Sequence, residues 1–271
     1  VISRGRLEMG FVKGSPFEVS PANSNPATLV ERFWEAHDLI LKALTTHDGP
    51  FNWEGEHFQY RQVNVWPRPY QDPHPPVWMT VASPGSAAEA GARGHVIASL
   101  NTGYLKTPDI FKTYRKAAAD AGHTADRDRF AYLAIVGVGE TDEEGQRRAD
   151  QILDYSRTTP RVGAQFWFPP GYTANEVTAQ KLHNRSPLMI PLRDGGEFEM
   201  QFGTVDQFVN AGVAFAGNPD TVFEQIKEFH EHVGGLGHLL MMGQGGHISH
   251  EDTVGNLTLF SKEVLPRLKD L

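Results

Sequence analysis

The chain has 271 residues, 39% hydrophobic and 21% charged, which is the composition of a globular protein with a packed core rather than of a disordered chain. It carries 25 Lys+Arg against 33 Asp+Glu, a formal charge of −8 with no basic run, which argues against nucleic-acid binding. No segment approaches the ~20 consecutive apolar residues that cross a bilayer. The absence of cysteine removes disulfides, thiolate metal sites and cysteine nucleophiles, and fits a reducing, cytoplasmic compartment.

In chain order, Arg6–Val12 alternates and ends at Lys13-Gly14, which predicts a short strand. The Pro/Ser/Asn-rich stretch Ser15–Asn25 reads as a surface loop. From Pro26, the spacing of Leu29, Phe33, Trp34, His37, Ile40, Leu41 and Leu44 predicts an amphipathic helix. Phe51–Trp66 alternates as a hairpin would, and a run of prolines from Pro67 to Pro76 keeps the chain extended into a buried strand, Val77–Val81. Ser83-Pro84-Gly85-Ser86 opens a helix ending near Gly91–Gly94. A strand at His95–Ser99 and a helix at Pro108–Ala121 follow.

Phe130–Val138 is the clearest strand, and Thr141 with Glu144 forms a capping-box signature for the helix after it. Residues 157–215 lose the alternation and read as a lid-like insertion. Asn218-Pro219-Asp220 starts a helix that runs to about His232. His238–Met242 is the last strand, and a terminal helix covers Thr253–Leu268. Strands alternating with helices predict a parallel sheet with right-handed crossovers. The five strand–helix units fit a doubly wound sheet or most of a (β/α)8 barrel, and periodicity does not separate the two. No Gly-x-Gly-x-x-Gly follows a strand, so a dinucleotide fold lacks its main support.

The most informative local feature is Ala82-Ser83-Pro84-Gly85-Ser86-Ala87-Ala88-Glu89, where a strand gives way to a helix. Free backbone N–H groups, the helix dipole and two hydroxyls suit a phosphate there. The competing reading is plain capping by Ser83 or Ser86, with Glu89 closing a box from Ser86. Lys13, at the end of the first strand, is a second phosphate candidate, and in a barrel it and the Ser83–Ser86 turn could share one phosphate. The 12 histidines raise a metal hypothesis, most of all His230, His232, His238, His247 and His250. Their spacing does not fit a zincin helix, so no metal is expected. A serine nucleophile lacks its Gly-x-Ser-x-Gly.

Six blocks resemble, in order, the bacterial luciferase-like, flavin-dependent monooxygenases. They are Ser3–Arg6 with Gly10–Gly14; Trp53–Glu56 to Val65–Pro69; Pro75–Trp78 with Ser83–Ser86; Gly139–Glu144; Ala216–Asp220; and Ser261–Pro266. The resemblance implies one (β/α)8 barrel domain over residues 1–271, with the first block similar to the family's fourth strand. The five strands would then be strands four to eight. On this expectation the first three strands are missing, and the chain is the C-terminal part of a longer protein.

The resemblance further implies that reduced FMN and O2, through a C4a-peroxyflavin, oxygenate a small, apolar organic substrate. A separate reductase would supply the flavin, and a homodimer follows by analogy. F420-dependent hydride transfer on the same barrel and an inactive flavin-binding relative are the alternatives. By position, Lys13 looks like the residue that meets the FMN phosphate. Ala82, Ser83, Gly85 and Ser86 look like the phosphate-binding helix start. Val12 would lie under the flavin ring, and Ser99 and Asn101 at the isoalloxazine edge; Arg32 is a further phosphate candidate. Phe166, Trp167, Phe168 and Tyr172 would meet substrate. Family luciferases carry Glu at the place of Ser83 and Arg at that of Lys13, so here a point charge replaces a fork. The family's catalytic histidine falls in the segment expected upstream, and no catalytic residue is assigned.

Overall fold

The computed structural model describes residues 2–158, 162–184 and 188–271. Residues 159–161 and 185–187, within the range read as an insertion, lie outside the described residues, as does Val1. The elements run β1 (Met9–Phe11), α1 (Pro16–Val19), α2 (Leu29–Thr45), β2 (Phe51–Glu54), β3 (Gln59–Val63), β4 (Val77–Val81), α3 (Pro84–Ala92), β5 (Val96–Leu100) and α4 (Gly103–Asp120). They continue with β6 (Phe130–Val138), α5 (Asp142–Thr158), α6 (Ala164–Trp167), α7 (Asn175–Asn184), β7 (Met189–Pro191), β8 (Glu197–Glu199) and α8 (Val205–Asn210). The last are β9 (Ala214–Gly217), α9 (Pro219–His232), β10 (His238–Met242), α10 (His250–Leu259) and α11 (Leu265–Leu268). The chain divides into two compact units, Val1–Met79 with Arg161–Ser186, and Thr80–Pro160 with Pro187–Leu271.

In the first unit β1 pairs with β4 in parallel, Met9 opposite Val77 and Phe11 opposite Met79. Parallel neighbours need a long crossover, and here it contains α2 and the antiparallel hairpin β2–β3. Helix α2 is amphipathic, as its spacing predicts, and buries His37 edge-on against Phe11 and Trp34 at 5.3 and 5.4 Å. Its Glu35 locks the hairpin by accepting from Trp53 Nε1 at 3.0 Å and from the amides of His57 and Phe58, both at 2.9 Å. Desolvation pushes this carboxyl upward, but those three hydrogen bonds together outweigh it and hold it below the usual carboxylate range. Gly55 makes the approach possible, because a Cβ there would fall 1.6 Å from Glu35 Oε1.

The stretch expected as a loop at Ser15–Asn25 is instead turned into α1 and a 3-10 turn, Ser20–Ala22. The cause is local: Pro16 stands at the first helical position, and Glu18 Oε2 accepts the Ser15 N–H at 2.7 Å.

In the second unit β6 is the central strand, parallel to β5, β9 and β10. Eight of its nine residues are buried, which is why it reads as a continuous apolar run rather than an alternation. Phe229 of α9 packs its ring against Tyr104, Tyr132 and Phe215 at 5.2, 4.3 and 5.8 Å. Burial of one such ring contributes roughly 1.5–3 kcal/mol. The five expected strands form, and β9 is an addition that the sequence reading did not foresee. It is only four residues long and wholly buried, so it carries no period to detect. In the range 157–215, α6 and α7 belong to the first unit, whereas Ile190, Phe198, Phe208 and Val213 join the core of the second.

Helix α4 begins at Gly103, five residues before the expected start, with Pro108 inside it. A proline there removes the N–H that would serve the Tyr104 carbonyl, and His232 Nε2 serves that carbonyl instead at 2.9 Å. The terminal helix likewise begins earlier than expected, at His250, because Ser249 Oγ accepts the Asp252 N–H at 3.0 Å.

Candidate functional site

The strand-to-helix turn after β4 is built from its own residues. Ser83 has extended backbone, φ −148° and ψ 156°, and Pro84 occupies the first helical position. Ser83 Oγ accepts the Ser86 N–H at 3.3 Å, Ser86 Oγ donates to the Ser83 carbonyl at 2.9 Å, and the two hydroxyls are 3.1 Å apart. The cap therefore closes between Ser83 and Ser86. Glu89 takes no part in it and pairs with Arg93 at 2.7 Å, so the box from Ser86 to Glu89 does not form. Ser86 already lies inside the helix and cannot act as the cap of a later turn. Ala82, Ser83, Pro84 and Gly85 are exposed, and a Cβ built on Gly85 would meet nothing within 4 Å. The Ser83 hydroxyl and the exposed Gly85 backbone, at the positive end of a nine-residue helix, have the donor chemistry that suits an anion such as a phosphate. The residues present fit such a group.

At the end of β5, Ser99 is fully buried, and its Oγ has no hydrogen-bond partner among the described residues. Leu100 beyond it is exposed, and Asn101 takes a left-handed φ of 55°. Gly103 completes the turn at φ 57°, where a Cβ would fall 2.1 Å from the Ala211 carbonyl. Its N–H donates to Tyr132 Oη at 3.1 Å, and Tyr132 donates onward to the Gly212 carbonyl at 2.7 Å. Burial pushes the Tyr132 phenol well above its ordinary range, which keeps it a neutral donor. The β5 exit is thus held by a buried chain of hydrogen bonds.

In the first unit Val12 follows β1 directly and is 67% exposed. Lys13 Nζ donates to Tyr172 Oη at 3.3 Å and stands 5.3 Å from the centre of that ring. Arg32 is engaged elsewhere, with Ser24 Oγ at 2.9 Å and the Phe58 ring. Of the three consecutive aromatics, Phe166 is exposed, Trp167 packs on Phe17 at 4.4 Å and Phe168 lies under Lys181. The structure thus brings Lys13 to Tyr172, 159 residues away. No local pattern announces such a pair. The candidates of the second unit are Ala82–Ser86, Ser99 and Asn101.

The C-terminal histidines hold separate structural partners: His230 accepts the Leu236 amide, His232 meets the Tyr104 carbonyl, His238 the Asp128 carbonyl and His247 the Asp154 carboxylate. Among the described residues no group of three or more His, Asp or Glu could hold a metal ion. Nor is any described helix long and apolar enough to cross a membrane.

Parallel strands that each lead into a helix define an α/β protein, a class whose ligands generally sit at the carboxyl ends of the strands. Residues 1–234 match the family model of luciferase-like monooxygenases, and the chain belongs to that family. Among curated relatives, it is 26% identical over 246 residues to 3,6-diketocamphane 1,6-monooxygenase of Pseudomonas putida, covering 89% of this chain. It spans 60% of that relative's length and 41% of another's. The oxygenating constituent of 3,6-diketocamphane monooxygenase from Pseudomonas putida, solved in complex with FMN, matches with a TM-score of 0.70 and 24% identity, over 98% of this chain and 72% of that one. An F420-dependent secondary alcohol dehydrogenase matches with a TM-score of 0.66 and 17% identity, over 97% of this chain and 69% of that one. These two likenesses establish a shared fold.

Proposed function

We propose that this protein is an oxidoreductase that binds reduced FMN and uses O2 to oxygenate a small, apolar organic substrate. The observation that carries this reading is the 26% identity to a monooxygenase over 246 residues, a stretch long enough to include the strand-to-helix turn at Ser83. In this reading Ser83, Gly85 and Ser86 receive the FMN phosphate, with Ala82 leading into the turn. Lys13, in the first unit, is a further basic candidate for a phosphate oxygen. Val12 in the first unit, and Ser99 and Asn101 in the second, are candidate flavin contacts. Phe166, Trp167 and Phe168 offer apolar surface to the substrate.

When bound, reduced FMN supplies the oxygen-activating chemistry. The protein's share is to hold the cofactor, orient it and keep water away from it. A separate reductase delivers the reduced cofactor, and a homodimer is the form expected by analogy. F420-dependent hydride transfer is the second reading, supported by the fold shared with the alcohol dehydrogenase.

Anaerobic titration of the full-length protein with reduced FMN and, separately, with reduced F420 tests the choice. Saturable binding of reduced FMN, followed by O2 uptake coupled to oxidation of an added substrate, is the expected result. Preference for F420, with no coupled O2 uptake, would overturn the monooxygenase reading in favour of hydride transfer. Binding of neither cofactor would overturn both.

A further inference from the structure

Lys13 and Tyr172 are the one predicted phosphate residue and the one aromatic of the 164–173 segment that meet directly. That segment is seated on the stretch following β1 at three points. Trp167 packs on Phe17 at 4.4 Å, a Cβ on Gly171 would touch Ala27 at 3.1 Å, and Tyr172 receives Lys13. Tyr172 is therefore placed by more than its contact with the lysine.

The chemistry of the pair is directional. The ammonium donates to the phenol oxygen, so the phenol's own hydrogen points elsewhere and is free to donate. Two further N–H donors remain on Lys13. The pair presents three donors and a positive charge, which is what an oxyanion with several acceptor oxygens requires. An apolar substrate would use none of them. A lone Lys makes a mobile point charge, and the Tyr172 ring 5.3 Å away restrains it.

Resting on the FMN reading above, we infer that Tyr172 is a binding residue for the cofactor's phosphate monoester, donating its O–H beside Lys13, and not a substrate contact. The removal of one hydrogen bond to a charged group predicts a tenfold rise in Kd, equivalent to about 1.4 kcal/mol.

The test is anaerobic titration of wild type, Lys13→Ala and Tyr172→Phe with reduced FMN and with reduced riboflavin, which lacks the phosphate. The expected result is that both variants bind FMN about tenfold or more weakly, while riboflavin affinity stays within about twofold. Tyr172→Phe retains the ring, so a purely packing role predicts no loss of FMN affinity or an equal loss for both flavins. Either outcome would overturn the inference and leave the FMN reading standing. Wild type that binds neither flavin would overturn the FMN reading and this inference with it. If Tyr172→Phe does not fold, Tyr172→Gln, which keeps a donor without the ring, decides: FMN held in preference to riboflavin supports the phosphate role, and equal loss of both refutes it.

Discussion

Asn256 shows how a single residue on a C-terminal helix sets the ends of two strands. It is fully buried, accepts the Val138 N–H at 2.7 Å, and donates to the carbonyls of Val136 and Gly243, both at 2.9 Å. Both of its N–H donors and its carbonyl oxygen are thus spent on backbone that the strand ladder leaves open. Asn256→Ala would leave one donor and two acceptors buried without partners. The expected cost is about 3 kcal/mol, read as a loss of unfolding free energy in urea. A loss below about 1 kcal/mol would mean that water replaces the side chain. Nothing in the sequence marks Asn256, because its partners lie at 118, 120 and 13 residues' distance. The Ser83–Ser86 cap was legible by contrast, since its partners fall within the same turn of the chain.

At the scale of elements, α4 carries a proline where helices seldom tolerate one. The isolated sequence places Pro108 at the start of a helix, since a first-turn proline gives up no hydrogen bond. The structure places it one turn further in, and the orphaned Tyr104 carbonyl finds His232 on α9. The two helices are thereby coupled through a helix defect. A double-mutant cycle tests it: His232→Phe is expected to cost about 1 kcal/mol in the natural chain. In a Pro108→Ala background it should cost much less, because that substitution restores the missing N–H donor. Equal costs in the two backgrounds would show that His232 acts only through its ring contact with Tyr104.

For the whole molecule, the shifted ionisations act in concert with pH. The Arg147 guanidinium holds the Asp252 carboxyl well below the usual carboxylate range, with Arg148 and Ser249 adding to the effect. The Asn218 amide and the Thr221 hydroxyl do the same for Asp142, and Glu35 is also lowered. Burial lowers His230, with Arg127 adding to it. In each of these the unfolded chain binds more protons than the native one, so stability falls as pH drops, through the histidine near ~6.5 and the carboxylates below ~4.

At the other end, burial pushes the Tyr104 phenol to about 12 and raises Tyr114 and Tyr132. That stabilisation is complete below the ordinary tyrosine value and is lost as pH rises above ~10. Thermal unfolding followed against pH should show a plateau between about 7 and about 10 with a falling limb on each side. Asp252→Asn should lower the plateau by about 1 kcal/mol after allowance for solvent screening, or ~3 °C. It should also make the acid limb shallower; a parallel displacement of the whole curve would refute the role given to Asp252.

By itself the sequence determined the alternation of strands and helices, the five strands from β1 to β10 that it foresaw, the amphipathic α2 and the Asn218 cap, and it marked Ser83–Ser86 as a helix start while leaving open which serine caps it. These rest on periodicity and on hydrogen bonds between near neighbours, and such signals survive without knowledge of the rest of the chain. Only the tertiary structure decided the rest: β9 as a strand, the early start of α4, the sharing of the 157–215 range between two compact units, and the meeting of Lys13 with Tyr172. Each of these depends on partners far away in sequence, where burial and long-range hydrogen bonding override the local preference of the residues concerned.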